Sequence, residues 1–178
     1  MQIKLLIATS LFSSVAFAQQ CASDTSVPLS TPDERFIVNE DGTVCDTKTD
    51  IMWQRCTFGF VFNAETGSCD NKEQQLNWQQ ALTAANNSRL GGHDDWQVPN
   101  VKELATIVER SCEDPAINAT VFLGNHSGNY WTSTTYAKDI SRAWTYQFAD
   151  GLNDRSSSKT SDAFVRLMRY TFCPQSEK

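Results

Sequence analysis

Six cysteines, two histidines and a few neighbouring carboxylates are the residues of this 178-residue chain whose types could do chemistry. The cysteines are Cys21, Cys45, Cys56, Cys69, Cys112 and Cys173. A metal site would use thiolates at C-x-x-C spacing or a richer histidine set, but no such pair occurs and His93 and His126 are the only histidines. An even cysteine count in an exported chain reads instead as three disulfides, whose connectivity the count alone leaves open. Cys56 and Cys69 flank a polar, glycine-bearing excursion and are expected to close it as a local loop. Cys21 with Cys112 and Cys45 with Cys173 are the expected remaining bridges, which would staple both termini onto the body. His93 beside Asp94 and Asp95 could be drawn as an acid–base group, yet no nucleophile accompanies it in its glycine turn. The expectation there is an exposed turn histidine and no enzyme. Asp150, Asn153 and Asp154 could offer oxygens to calcium, but the ligand set is incomplete, so no metal or cofactor is expected.

The elements that must position these residues are organised around Gly91 to Cys112. A glycine turn leads into a short buried strand carrying Trp96, and Pro99 keeps Val98 extended. Asn100 then caps a helix, with Glu103 at the reciprocal position of a capping box. Val101, Leu104, Ala105 and Val108 give that helix one apolar face. An earlier helix is predicted over Leu76 to Asn87, capped by Asn77 with Gln80 and burying Trp78, Ala81, Leu82 and Ala85. Before it, Arg35 to Asn39, Thr43 to Asp46 and Ile51 to Arg55 read as a small antiparallel meander, turned at Asp41-Gly42 and at Thr47 to Asp50. Thr57 to Glu73 reads as a loop anchored by Phe58, Phe60 and Phe62, whose alternation also suggests a strand-like rim packed on one side. In the second half, Pro115 to Asn125 is a loop anchored by Ile117, Val121 and Phe122. Asn129 to Ser133 and Ala143 to Phe148 are expected strands, Asp150-Gly151 a turn, Asn153 to Asp162 a polar loop and Ala163 to Tyr170 a final strand. Strands at both ends with two helices between them argue for α+β.

Residues 1–18 have the short positive start at Lys4, the apolar run Leu5 to Phe17 and the Ala16-Phe17-Ala18 site of a secretory signal peptide. Residues 19–34 form an extended leader, 35–173 a single domain and 174–178 a tail. Removing Lys4 with the signal takes the formal charge from −6 to −7. Acidic charge spread along the chain argues against nucleic acid or an anionic membrane surface as partner, and no later apolar run is long enough to insert in a bilayer. Location is expected to be exported, in the periplasm, at the cell surface or outside the cell.

The ordered motifs GTVCDTKTDIMWQRC (42–56), WQQALTAAN, DWQVPNVKEL, PAIN, YWTSTTYA, AWTYQFADG and FVRLMR resemble one family, the Lcl C-terminal domain, named after the Legionella collagen-like adhesin. The similarity covers roughly residues 35 to 170. Asp50 stands where the family usually has glycine, which Asp tolerates because it visits left-handed turns. Val98 replaces the usual leucine, and Cys45 stands where threonine is common, which suggests a disulfide special to this branch. The resemblance implies a C-type-lectin-like fold, with the termini together in a small sheet, two helices packed on it and a second, loop-rich half carrying the binding surface.

The function implied by the resemblance is attachment: a non-enzymatic adhesin or glycan-binding module, acting on glycan or a surface protein partner; a homo-oligomer is a separate expectation. Sugar sites favour an aromatic face beside amides and charged groups. The candidate contacts in or next to the polar loops of the second half are Tyr136, Asn153, Asp154, Arg155 and Lys159. The acidic balance fits a neutral glycan or a protein better than a sulfated one. The competing expectation is a structural or assembly subunit of a surface appendage or envelope complex.

Overall fold

A computed structural model describes residues 19–23 and 26–174. The expected signal peptide and the tail beyond Pro174 lie outside the described residues. The predicted meander is present: β2 (Phe36–Val38), β3 (Thr43–Asp46) and β4 (Ile51–Gln54) pair antiparallel in sequence. Gly42 turns the first connection at φ 81°, and the Asp41 carboxylate accepts from the Thr43 amide. The second turns at Asp50, a non-glycine at φ 54°, in the left-handed region expected of it. Beside β4 lies β11 (Met168–Tyr170), so the two ends of the domain share one sheet of order β11-β4-β3-β2.

Cys45 and Asp50 act on the same segment. Cys45 bridges Cys173, while the Asp50 carboxylate accepts from the Cys173 amide and its carbonyl from Thr171. The C-terminal strand is thereby locked to the meander. Cys21–Cys112 and Cys56–Cys69 complete the three bridges, each as expected from the sequence.

The first helix, α1 (Trp78–Asn87), carries the expected capping box of Asn77 and Gln80 and buries Ala81 and Ala85. Leu76 falls outside it because it pairs in extended conformation with Ala163. The second is much shorter than its apolar spacing predicts. Asn100 and Glu103 form the capping box, but α2 spans only Val101–Leu104, with a 3-10 turn over Ala105–Ile107. Val108 is already extended and bridges Ile117, which lets Glu109 turn inward. Leu104 and Val108 are buried although the helix stops, and Val101 and Ala105 pack partly buried against the same core. The strand expected at Trp96 is reduced to one bridge, Gln97 with Met168.

A second sheet, ordered β10-β9-β8, is formed by β8 (Asn129–Thr135), β9 (Arg142–Gln147) and β10 (Leu152–Ser158). The polar loop expected over Asn153 to Asp162 is therefore mostly a strand. The Asp150-Gly151 turn folds the chain back on β9, and the ladder is made by backbone groups that do not depend on side-chain polarity. Serine suits the position because β10 is an edge. The loop expected over Thr57 to Glu73 also contains a hairpin, β5 (Phe60–Asn63) with β6 (Ser68–Asn71), closed by Cys56–Cys69. The leader adds β1 (Gln20–Cys21), paired with β7 (Cys112–Glu113).

Ala163 to Tyr170 is expected as one strand, yet only its end is regular. Ala163 pairs with Leu76, Phe164 with Tyr130 of β8, and Met168 onward with β4. This segment threads between the two sheets and is covered on both sides, with Val165, Arg166, Leu167 and Met168 all buried. One core cluster, around Trp53, Leu104, Ile117, Phe122 and Tyr130, fills the side toward the meander. Another, around Trp96, Trp131, Val165 and Leu167, lies under α1.

Candidate functional site

The five predicted contacts fall at opposite ends of the second sheet. Tyr136 follows β8 and stands edge-to-face with Trp144 of β9, ring centroids 5.2 Å apart. Both rings are half-buried, so each keeps some surface in solvent. Lys159 follows β10 at the same end, but its charge is engaged: Nζ donates to Thr135 Oγ1 at 3.0 Å and lies 4.0 Å from the Trp78 ring centroid. Exposed Asn153, with Asp154 and Arg155 beside it in β10, belongs to the other end, at the Asp150-Gly151 turn. Six residues of strand separate Asn153 from Lys159, roughly 20 Å. One ligand contact could use Tyr136 with Trp144, or Asn153, but a small sugar could not reach both. No group of three or more metal-ligating acidic, histidine or cysteine residues forms among the described residues.

His93 is half-buried rather than exposed, its amide bonded to the Leu90 carbonyl. The neighbouring Asp95 is held by Arg169, with contacts of 2.5 and 3.0 Å. His126 stacks on Phe164, centroids 4.5 Å apart, and its Nε2 lies 3.5 Å from Glu73. The His126 ring is thus built into packing.

Two buried charges were not visible in the sequence. Glu109 is 2% exposed and accepts from amides and hydroxyls of Ser30, Thr31 and Ser111. Burial pushes its carboxyl up, but the Ser111, Ser30 and Thr31 donors outweigh that and bring it from 4.5 to about 2. It fastens the leader to the body. Arg166, 1% exposed, has no acidic partner among the described residues. Its guanidinium donates instead to the Gln54 carbonyl at 2.8 Å, the Asn125 side chain at 2.7 Å, Thr57 Oγ1 at 3.1 Å, and the Arg55 and Leu123 carbonyls. Burial lowers it to about 10, partly offset by Tyr130.

Sequence reading also missed a groove of about 430 Å³ between the β2–β3 turn and the β5–β6 hairpin. Val38, Phe62 and Ala64 give it apolar walls; Asn39, Glu40, Arg55 and Glu65 are its polar lining. Arg55 lies over the Phe62 ring, 4.7 Å from the centroid, and its Nε donates to the Val121 carbonyl at 3.2 Å. Burial lowers the guanidinium below its ordinary value. The alternating Phe58, Phe60 and Phe62 were the available signal, since alternation is the mark of a strand with one packed face.

Compared with known families, residues 42–169 match the model described as the Lcl C-terminal domain, and the chain belongs to that family. No curated protein matches it.

Proposed function

We propose that this member of the Lcl C-terminal domain family is a non-enzymatic binding module with a C-type-lectin-like fold, which attaches to glycan at a cell surface. The family and the three disulfides are consistent with a surface binding module that matures in an oxidising compartment. The shared sheet of N- and C-terminal strands, with a second sheet beyond it, supports the lectin-like assignment. The observation that carries the reading is the half-buried Tyr136–Trp144 pair at the end of the second sheet. Partly solvated aromatic rings on fixed strands offer apolar faces to sugar C–H groups at little ordering cost.

A broad glycan array with the oxidised mature protein, run with and without calcium and at two salt concentrations, tests this. Glycan binding weakened at least tenfold by Tyr136→Ala supports it. Absence of glycan binding in every condition would overturn it and favour the assembly-subunit reading, which co-purification of a protein partner from native envelopes would then establish.

A further inference from the structure

The groove beside the hairpin gathers charged groups that, among the described residues, are only partly used. Among the described residues, neither the Glu40 nor the Glu65 carboxylate has a hydrogen-bond or ion-pair partner, and both side chains are exposed. Arg55 spends Nε on Val121 and its face on Phe62, while its two Nη groups have no acceptor among the described residues. Burial depresses the Arg55 guanidinium with no compensating anion, in agreement with that geometry. Asn39 donates to Thr43 Oγ1 at 2.8 Å and keeps its carbonyl oxygen free. Unused donors and acceptors thus converge on one concavity of a size suited to a small ligand.

We infer that this groove is a binding subsite for a neutral, hydroxyl-rich oligosaccharide. The inference rests on the glycan-binding reading and adds a second contact to the one at Tyr136 and Trp144. A ligand carrying several negative charges would meet Glu40 and Glu65, and a cationic side chain would meet Arg55. A sugar hydroxyl both donates and accepts, so one polyol can serve carboxylates, amide and guanidinium together. Its C–H face would lie against Val38, Phe62 and Ala64.

The hairpin that forms one wall is rigidly seated. Cys56–Cys69 closes it, Phe62 packs so closely on Gly42 that a Cβ there would fall 2.7 Å from the Phe62 Cβ, and Phe60 packs similarly on Gly124. The groove is therefore preformed.

Wild type, Ala64→Trp and the double variant Glu40→Gln/Glu65→Gln should be titrated on an array of neutral hexose oligosaccharides, sulfated glycans and peptides. All three positions are exposed, and circular dichroism melts should be superimposable. The expected result is binding of the wild type to neutral oligosaccharides, weakened at least tenfold by both variants. Neutral-glycan binding unchanged in Ala64→Trp would overturn the groove and leave the glycan reading standing. Wild-type signal confined to sulfated glycans or to peptides would overturn the ligand class, and no glycan signal would overturn both readings.

Discussion

Arg166 and Arg55 are joined by a hydrogen bond, from an Arg166 Nη to the Arg55 carbonyl, and yet the regions around them treat charge in opposite ways. In the interior around Arg166, both Nη groups are used and five acceptors from β4, the following residues and the loop 121–125 converge on them. In the groove around Arg55, the Nη groups and two carboxylates are left unused at an open surface. The interior charge knits together segments distant in sequence, where an unpaired ion would be costly. The surface charges cost little because water serves them until a ligand does. The difference teaches that exposure alone is a poor guide to function; Lys159, half-buried at the predicted site, is as fully engaged as a core residue.

The sharpest way to break this comparison is Arg166→Met. The five acceptors would each lose a donor, the Asn125 side chain and the Gln54 carbonyl among them, and a loss of about 3 to 5 kcal/mol is expected by urea denaturation. A loss below about 1 kcal/mol would show that the interior does not depend on the charge. Next comes the hairpin that supports the groove: Cys56→Ala/Cys69→Ala removes a bridge of sequence separation 13, with an expected loss of about 3 kcal/mol. Hydrogen exchange should rise first in Phe60–Asn63 and Ser68–Asn71; uniform acceleration across all sheets would refute the local role.

Glu109→Gln tests the interior from its acidic side. Because the folded carboxyl sits at about 2 rather than 4.5, it holds its proton less readily when folded, so its contribution is present above pH 4.5 and disappears as pH falls toward 2. The variant should be less stable by about 2 to 3 kcal/mol at pH 7, with the gap closing through that window. A gap independent of pH would point to lost packing instead. Glu40→Gln/Glu65→Gln should change stability by no more than about 0.5 kcal/mol, since neither carboxylate has a partner. A larger destabilisation would place these residues with the interior.

The candidate site was only partly legible. Tyr136 was readable as an aromatic near a loop, but its half-buried partner Trp144 was legible only as part of the strand Ala143 to Phe148, because alternation in β9 identifies faces without saying where a face runs out of cover. Asn153, Asp154, Arg155 and Lys159 were grouped by their polarity in sequence; the β9–β10 ladder spreads them along a strand instead. Arg55 lay in a recognised motif and Phe62 in a recognised alternation. Nothing in either motif indicates that the hairpin comes to rest beside the β2–β3 turn.

By itself the sequence determined the features governed by neighbours a few residues apart. Asn77 and Asn100 capped their helices, Asp41-Gly42 and Asp150-Gly151 turned the chain, and Asp50 entered the left-handed region. It also allowed all three disulfides to be anticipated, since cysteines must meet once their segments are arranged. Tertiary structure decided where periodicity was overruled. The helix after Asn100 stops early as Val108 pairs with Ile117 and Glu109 turns toward the leader, a serine-rich segment becomes β10 because β9 offers an edge, and Arg166 is buried although its alternation resembles that of an ordinary strand. The physical reason is the reach of the contacts: Arg166 donates to residues 41 to 112 positions away, and no local pattern encodes which distant carbonyls will converge.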